Sequence, residues 1–334
     1  MIDLRSDTVT KPGKDMLQAM IKADTGDDVY GEDPTINNLE EIIADMLGME
    51  DAIFASSGTQ TNLLALLTHC NRGDEYIVGQ LAHTYKYEAG GAAVLGSIQP
   101  QPLDFEKNGT LDLKKVEQFI KPDDYHFAKT QLLCLENTHS GLALPMDYLD
   151  EAKIFSDDNN LKFHLDGARI FNAAIKQSVN VKEISHRFDT VSVCFSKGLG
   201  APVGSALCGT KEEIKKARRW RKMLGGGMRQ AGILAAACIY AIENNVLRLA
   251  EDHDNAEFLA KGLSEIDQLD VRYDLSQTNM IFVKIKKECV DLIDFMKDKG
   301  VLISRADLLR LVTHLDVNRD DLKIVIDSFK QYFI

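Results

Sequence analysis

The chain has 334 residues, of which 45% are hydrophobic and 27% charged, with a formal net charge of -12. That length holds one large and one smaller domain with a sizeable core, and no stretch has the apolar run needed to cross a bilayer. The acidic balance excludes broad phosphate-driven nucleic-acid binding, and the first residues lack the basic and apolar regions of a secretory leader, so a cytoplasmic protein with a small-molecule partner is expected.

The first helix has both ends written into the sequence. Asp33 can accept from its free amides, Pro34 suits its first turn, and Ile36, Leu39, Ile42, Ile43, Met46 and Leu47 form one apolar stripe before Gly48 stops it. Residues 52–55 then read as a strand, Ser56-Ser57-Gly58 as a turn, and 59–69 as a helix. Further short strands are expected at 76–78, 92–95, 132–135, 162–165, 190–195 and 205–208. Helical patterns separate most of them, which predicts a mostly parallel sheet covered on both faces. From about residue 245 the pattern changes to a long charged helix, then strands near 280–285 and 310–313 with helices between and after. The expected division is an amino-terminal arm over 1–14, a large domain over 15–245 and a small α+β domain over 246–334. The six cysteines are scattered without metal-ligand or redox spacing and read as reduced core thiols, so no metal site is expected.

In a parallel sheet, catalytic groups gather in the loops beyond the carboxyl ends of the strands. Four candidates obey that rule: Gly58-Thr59, Glu136-Asn137-Thr138-His139, Asp166 and Lys197 each follow a predicted strand. An amine and a carboxylate at one sheet edge are what pyridoxal phosphate chemistry requires, the lysine to form a Schiff base and the acid to protonate the pyridine nitrogen. Each has an ordinary alternative. A loop lysine is usually a solvated charge, an aspartate at a strand-to-helix turn usually caps the next helix (here 168–174), and a Gly-Thr turn is commonly a plain loop. Gly58-Thr59 opens a helix, whose free amides and dipole can hold a phosphate. His83 can stack on a flat ring or sit as a half-buried loop histidine. The run from Arg218 to Arg229, interrupted by Gly225-Gly226-Gly227, is the only strongly basic stretch; a tight or mobile loop carrying cations to an anionic cofactor, across a subunit interface, is expected there. Arg310, on a small-domain strand, can hold a carboxylate through two parallel hydrogen bonds.

Taken together, these residues resemble the low-specificity L-threonine aldolases, pyridoxal phosphate enzymes of the aspartate aminotransferase fold. The matching stretches include Asp3-Leu4-Arg5-Ser6-Asp7-Thr8-Val9-Thr10, Gly26-Asp27-Asp28-Val29-Tyr30-Gly31, Gly90-Gly91-Ala92, Glu136-Asn137-Thr138-His139, Asp166-Gly167-Ala168-Arg169, Ser196-Lys197-Gly198-Leu199-Gly200, Gly225-Gly226-Gly227-Met228-Arg229-Gln230 and Arg310-Leu311-Val312-Thr313-His314, spanning almost the whole chain. The resemblance implies a fold type I α/β architecture, a large domain with a mostly parallel seven-stranded sheet plus a small α+β carboxyl-terminal domain. It implies Lys197 as the Schiff-base lysine, Asp166 as partner of the pyridine nitrogen, and Arg169 near the ring oxygen and the substrate carboxylate. Gly58 and Thr59 are implied at the phosphate, His83 stacked on the ring, Ser6 and Arg310 on the carboxylate, and His126 near the substrate hydroxyl. Lys222 and Arg229 are implied to come from a neighbouring subunit of a homotetramer built as a dimer of dimers. The implied reaction cleaves threonine or its allo isomer to glycine and acetaldehyde, with His83, His126 or a bound water taking the hydroxyl proton. The Asp166 and Lys197 pair also serves aminotransferases and β-eliminating lyases, and a cofactor-binding regulator without catalysis is a third reading, disfavoured by the absence of a DNA-binding segment.

Overall fold

The computed structural model describes residues 1–287 and 289–333. The chain opens with an arm whose first strand, β1 (Ile2–Asp3), leads into the seven strands of the central sheet: β2 (Asp51–Ala55), β3 (Glu75–Gly79), β4 (Gln99–Leu103), β5 (Thr130–Glu136), β6 (Lys162–Gly167), β7 (Thr190–Cys194) and β8 (Ser205–Gly209). Their spatial order is β2-β8-β7-β6-β5-β3-β4. Only β8 runs against the others, so β2 to β7 all end on one edge of the sheet. Near-continuous apolar runs such as Val191-Ser192-Val193 and Leu132 to Leu135 are buried on both faces, as parallel strands under helices must be.

The helix Pro34–Leu47 forms as its sequence dictates. Asp33 Oδ1 accepts from the Thr35 and Ile36 amides (3.1 Å each), and Gly48 closes the helix at φ +66. A cap of this kind contributes about 1 kcal/mol.

One expectation is corrected and one unforeseen strand is added. Residues 92–95 are not a strand but part of the helix Gly91–Gly96, in which Ala92 and Gly96, one turn apart, are buried while Val94 and Leu95 face outward. The edge strand is instead β4, whose Pro100 and Pro102 hide it from propensity reasoning. The Gln99 amide donates to Asp74 O on the β3 side, so alternation turns both proline nitrogens away from the sheet, where no ladder donor is needed.

The small domain is a three-stranded antiparallel sheet of β9 (Leu269–Val271), β10 (Met280–Ile285) and β12 (Leu308–Val312), while β11 (Val301–Leu302) pairs with β1. Among the described residues, two smaller hydrophobic clusters, around Val78 and Leu132 and around Ile53 and Leu207, cover one face of the large sheet, while the two main cores lie, first, under its other face and, second, in the small domain. They meet along the helix Leu249–Ser264, which gives Leu249 to the first core and Ala256, Leu259 and Leu263 to the second. Leu4 of the arm also belongs to the second core. Among the described residues no single helix is long and apolar enough to cross a membrane.

Candidate active site

β6 and β7 are neighbours in register, Asp166 opposite Ser192, so their carboxyl ends deliver Asp166 and the half-buried Lys197 to the same edge. Asp166 is buried, and its Oδ1 accepts from the Ala168 amide (3.1 Å). The ordinary alternative, an N-cap, does not apply: the following helix, Ile170–Gln177, starts later, with Arg169 at its cap and no side-chain cap bond. Beside them, β2 leads into the helix Gly58–His69, where Ser57 Oγ accepts from the Gln60 amide. The amides of Gly58 and Thr59 have no acceptor among the described residues, which leaves two donors and the positive helix end facing outward. A side chain at position 58 would place its Cβ 2.7 Å from Cys194 Sγ, so only glycine lets this helix end press against the strand that carries Lys197.

A polar network joins these groups. The Asn62 amide nitrogen donates to both Asp166 Oδ2 and Glu88 Oε1, at 2.8 Å each. His83 Nδ1–H donates to Glu88 Oε1 (2.8 Å), and its backbone amide donates to Glu136 Oε2 (2.6 Å). Glu136 Oε1 accepts from His139 Nδ1 (3.0 Å), whose ring stacks on Phe105. Burial would raise Glu136, but the His139 ring and His83 together outweigh it and hold the carboxyl below its ordinary value. The hydrogen bond to Glu88 raises the proton affinity of His83, while burial, reinforced by Asp166, raises that of Glu88. The 2.8 Å contact requires a proton between His83 Nδ1 and Glu88, and the other ring nitrogen of His83 has no partner among the described residues.

Two arginines face each other across the domain junction. Arg169 donates from Nε (2.8 Å) and Nη2 (2.6 Å) to the buried carboxylate of Asp7, which also accepts from Asn279 Nδ2 (3.3 Å). Burial pushes Asp7 up, but the Arg169 guanidinium outweighs it and holds the carboxyl well below the usual carboxylate range. Arg310 has no carboxylate partner among the described residues and donates only to Arg5 O (3.2 Å). Burial and the facing Arg169 lower its proton affinity. One positive charge is thus cancelled and the other left for an anion. Ser6 sits one residue before Asp7 and caps its short turn, accepting from the Thr8 amide (3.2 Å), and Thr10 Oγ1 donates to Lys197 O (3.1 Å).

Other expected residues lie elsewhere. His126 occupies an exposed loop before β5, at the amino end of the parallel strands, where it pairs with Asp124 Oδ1 (2.6 Å). β5 alone is seven residues long, about 20 Å at the rise of a strand, so within one chain His126 does not reach the edge carrying Asp166. Four of the five cations in the basic run lie on the helix Lys211–Met223, and two of them are consumed internally: Arg218 pairs with Glu40, and Arg221 with Asp28 (2.7 Å) and Phe54 O (2.6 Å). Lys222 is exposed at the helix end, and Arg229 pairs with Asp27 (2.9 Å). Gly226 packs against Gln60 in the first turn of the Gly58–His69 helix, which brings the triple-glycine loop beside the free amides.

Asn62, Glu88 and Asp7 had no role assigned from sequence. The signals available were that Asn62 lies one helical turn beyond Gly58 and that Asp7 falls within the matching stretch 3–10. The donor set fits pyridoxal phosphate: free helix-end amides for a phosphate, a buried carboxylate for a ring nitrogen, an amine for an aldehyde, and at the same edge a buried Thr138 hydroxyl with no partner.

The sequence profile of the beta-eliminating lyase family matches residues 3–286. The chain is 57% identical to the low specificity L-threonine aldolase of Escherichia coli strain K12, over 99% of both chains. It is 42% identical to the probable low-specificity L-threonine aldolase 2 of Arabidopsis thaliana, over 99% of this chain and 97% of the relative. Its fold superposes on threonine aldolase from Leishmania major with a TM-score of 0.85 at 20% identity, covering 100% of each, and on a putative L-allo-threonine aldolase from Listeria monocytogenes with 0.81 at 22%, covering 97% and 96%.

Proposed function

The chain belongs to the low-specificity L-threonine aldolases, and from that membership we propose that it cleaves L-threonine, L-allo-threonine and related β-hydroxy-α-amino acids to glycine and an aldehyde, with pyridoxal phosphate as cofactor. The observation that carries this reading is the single sheet edge on which Lys197, Asp166 and two free helix amides meet, beside one uncancelled arginine. Lys197 would anchor the cofactor, Asp166 would face its ring nitrogen, Gly58 and Thr59 its phosphate, and His83 its ring face. When bound, the cofactor supplies an electron-withdrawing ring that accepts the electron pair released as a bond to the substrate α-carbon breaks.

The chain decides which bond that is. Arg310, with the arginine face that Asp7 leaves free on Arg169, fixes the substrate carboxylate, and Ser6 borders the same position. Holding the carboxylate sets which substituent stands perpendicular to the ring, so position selects Cα–Cβ cleavage. His83 takes the β-hydroxyl proton at its free ring nitrogen, directly or through a water, while Glu88 on the other nitrogen stabilises the positive imidazole. A positioned base of this kind contributes about two to four orders of magnitude in rate.

We further propose a homotetramer, a dimer of dimers, in which Lys222, Arg229 and His126 act across interfaces. Exposed apolar side chains such as Tyr125 (92%), Val94 (77%) and Tyr30 (75%) support association, as does the distance of His126 from its own chain's site. All six cysteines are free, five of them buried, which suits a reducing, cytoplasmic compartment.

The test is product analysis with threonine. Equimolar glycine and acetaldehyde, with the cofactor's visible band changing on addition of threonine and absent in Lys197→Ala, is the expected result. Production of a keto acid and ammonia instead would assign β-elimination, and dependence on a keto acid acceptor would assign transamination.

A further inference from the structure

Glu136, the last residue of β5, and His139 just beyond it lie at the carboxyl edge of the sheet, and the proposed chemistry uses neither. Both sit in rigid surroundings. His139 and Leu142 exchange two backbone hydrogen bonds (2.9 Å each) across Ser140-Gly141, whose φ values of +49 and +87 are those of a tight hairpin turn. The His139 side chain is buried and its ring stacks on Phe105, 3.8 Å between centroids; only a glycine at position 79 leaves room for that phenyl ring.

His83 is placed very differently. It opens a helix of only four residues, His83–Lys86, whose N-cap Ala82 offers no side-chain acceptor, and Leu81, Tyr85 and Tyr87 around it are exposed. The acceptor comes from another strand: Glu136 Oε2 takes the His83 amide at 2.6 Å, and Glu136 Oε1 takes His139 Nδ1 at 3.0 Å. Both bonds have a fixed direction. A backbone N–H can only donate, and a carboxyl held below its ordinary value accepts at both oxygens, so His139 must carry a proton on Nδ1. The His83 ring is tied separately to Glu88 (2.8 Å), so this residue is pinned at its backbone and at its side chain by two different acids. We propose that Glu136 is a positioning residue for His83, and that His139 holds Glu136 in place, so that the sequence of contacts from His139 through Glu136 to the His83 amide sets the imidazole against Glu88 and the face of the cofactor. The role requires a donor at position 139 and an acceptor at position 136.

The titratable groups that face His83 from neighbouring elements are Glu88, Asp166 on β6, Glu136 on β5, Lys197 beyond β7, and Tyr87, whose ring lies 5.7 Å from the imidazole. Of these, Glu136 alone accepts from the His83 backbone among the described residues.

Two measurements test the proposal, and only the second rests on the aldolase reading. In the full chain without cofactor, labelled with 15N-histidine, His139 is expected to carry a proton on Nδ1; a bare Nδ1 overturns the proposal with no variant made. The same spectra follow the titration of His83 in His139→Phe, which keeps a ring on Phe105 but has no donor, and in His139→Asn, which keeps a donor but has no ring. The raised His83 midpoint is expected to fall toward the ordinary histidine value in the first and to hold in the second; an unmoved midpoint in His139→Phe, or an equal fall in both, overturns the role. In the holoenzyme, kcat for threonine is expected to fall about 10- to 100-fold in His139→Phe with KM within about threefold, because a displaced base loses alignment with its proton. His139→Asn is expected to return kcat to within about threefold of wild type, and the reverse order of the two variants would mean that packing on Phe105, not the hydrogen bond, is what matters, and would overturn the role. Should circular dichroism show that His139→Phe does not fold, Glu136→Ala takes its place with the same expectations. A wild-type protein that does not cleave threonine would sink the functional reading and leave the histidine spectra standing.

Discussion

The two ends of the central sheet bear polar side chains in opposite states. At the carboxyl edge, Asp166, Glu88, Glu136, His83 and Asn62 are tied to one another at 2.6 to 2.8 Å. At the amino edge, the loop carrying His126 holds Tyr125 and Phe127 out in solvent and pairs its histidine only with an exposed aspartate. Two histidines to which the family resemblance gives similar standing are therefore physically unlike. One is preorganised within a single chain; the other has, within its own chain, an exposed aspartate as its hydrogen-bond partner.

That contrast can be broken or sharpened, beginning with the largest effect. Lys197→Ala should reduce threonine cleavage to background while the fold survives, read by product assay and circular dichroism. His83→Asn should lower kcat by about two to four orders of magnitude with cofactor still bound; near-normal turnover would remove the carboxyl-edge histidine from the chemistry. Asp7→Asn breaks a buried pair and leaves Arg169 uncompensated, a loss of about 3–5 kcal/mol in denaturant unfolding. Because Asp7 is held low in the folded protein, its contribution is present above the ordinary carboxylate range and is lost as pH falls, so the variant should lose that part of the acid sensitivity. Glu88→Gln removes the largest cause raising His83, so the acid limb of the kcat/KM profile should move to lower pH; an unmoved limb would mean that another group titrates there. At the other end, Tyr125→Ser should change monomer stability by about 0.5 kcal/mol or less. If His126 acts across an interface, the same change should lower the assembled fraction in sedimentation, and mixed tetramers of His126→Asn with Lys197→Ala subunits should regain activity.

What the sequence revealed follows from how local each cause is. The caps of the Pro34–Leu47 helix, the apolar approach to Lys197 and the strand-end position of Asp166 depend on residues within a turn of each other, and all were legible. The helix Gly91–Gly96 was misread because four apolar residues between glycines suit either period, and packing of one face decided the matter. Asn62 was invisible because its partners lie 26 and 104 residues away, and Asp7 because its partner lies 162 away. Within the basic run, Arg218 and Arg221 could not be told from the other cations by sequence, because the Glu40 and Asp28 that pair with them lie in a distant part of the chain. His126 was named through resemblance alone, which carries residue identity but not the chain to which a site belongs.

The prolines of β4 have a consequence for handling the protein. An edge strand is a template for aggregation when it offers a row of unpaired donors, and here the outward positions 100 and 102 have none to offer. At these two positions the open side of the sheet offers a stray strand carbonyls to pair with but no donors, which weakens edge-to-edge pairing between folded molecules in concentrated preparations.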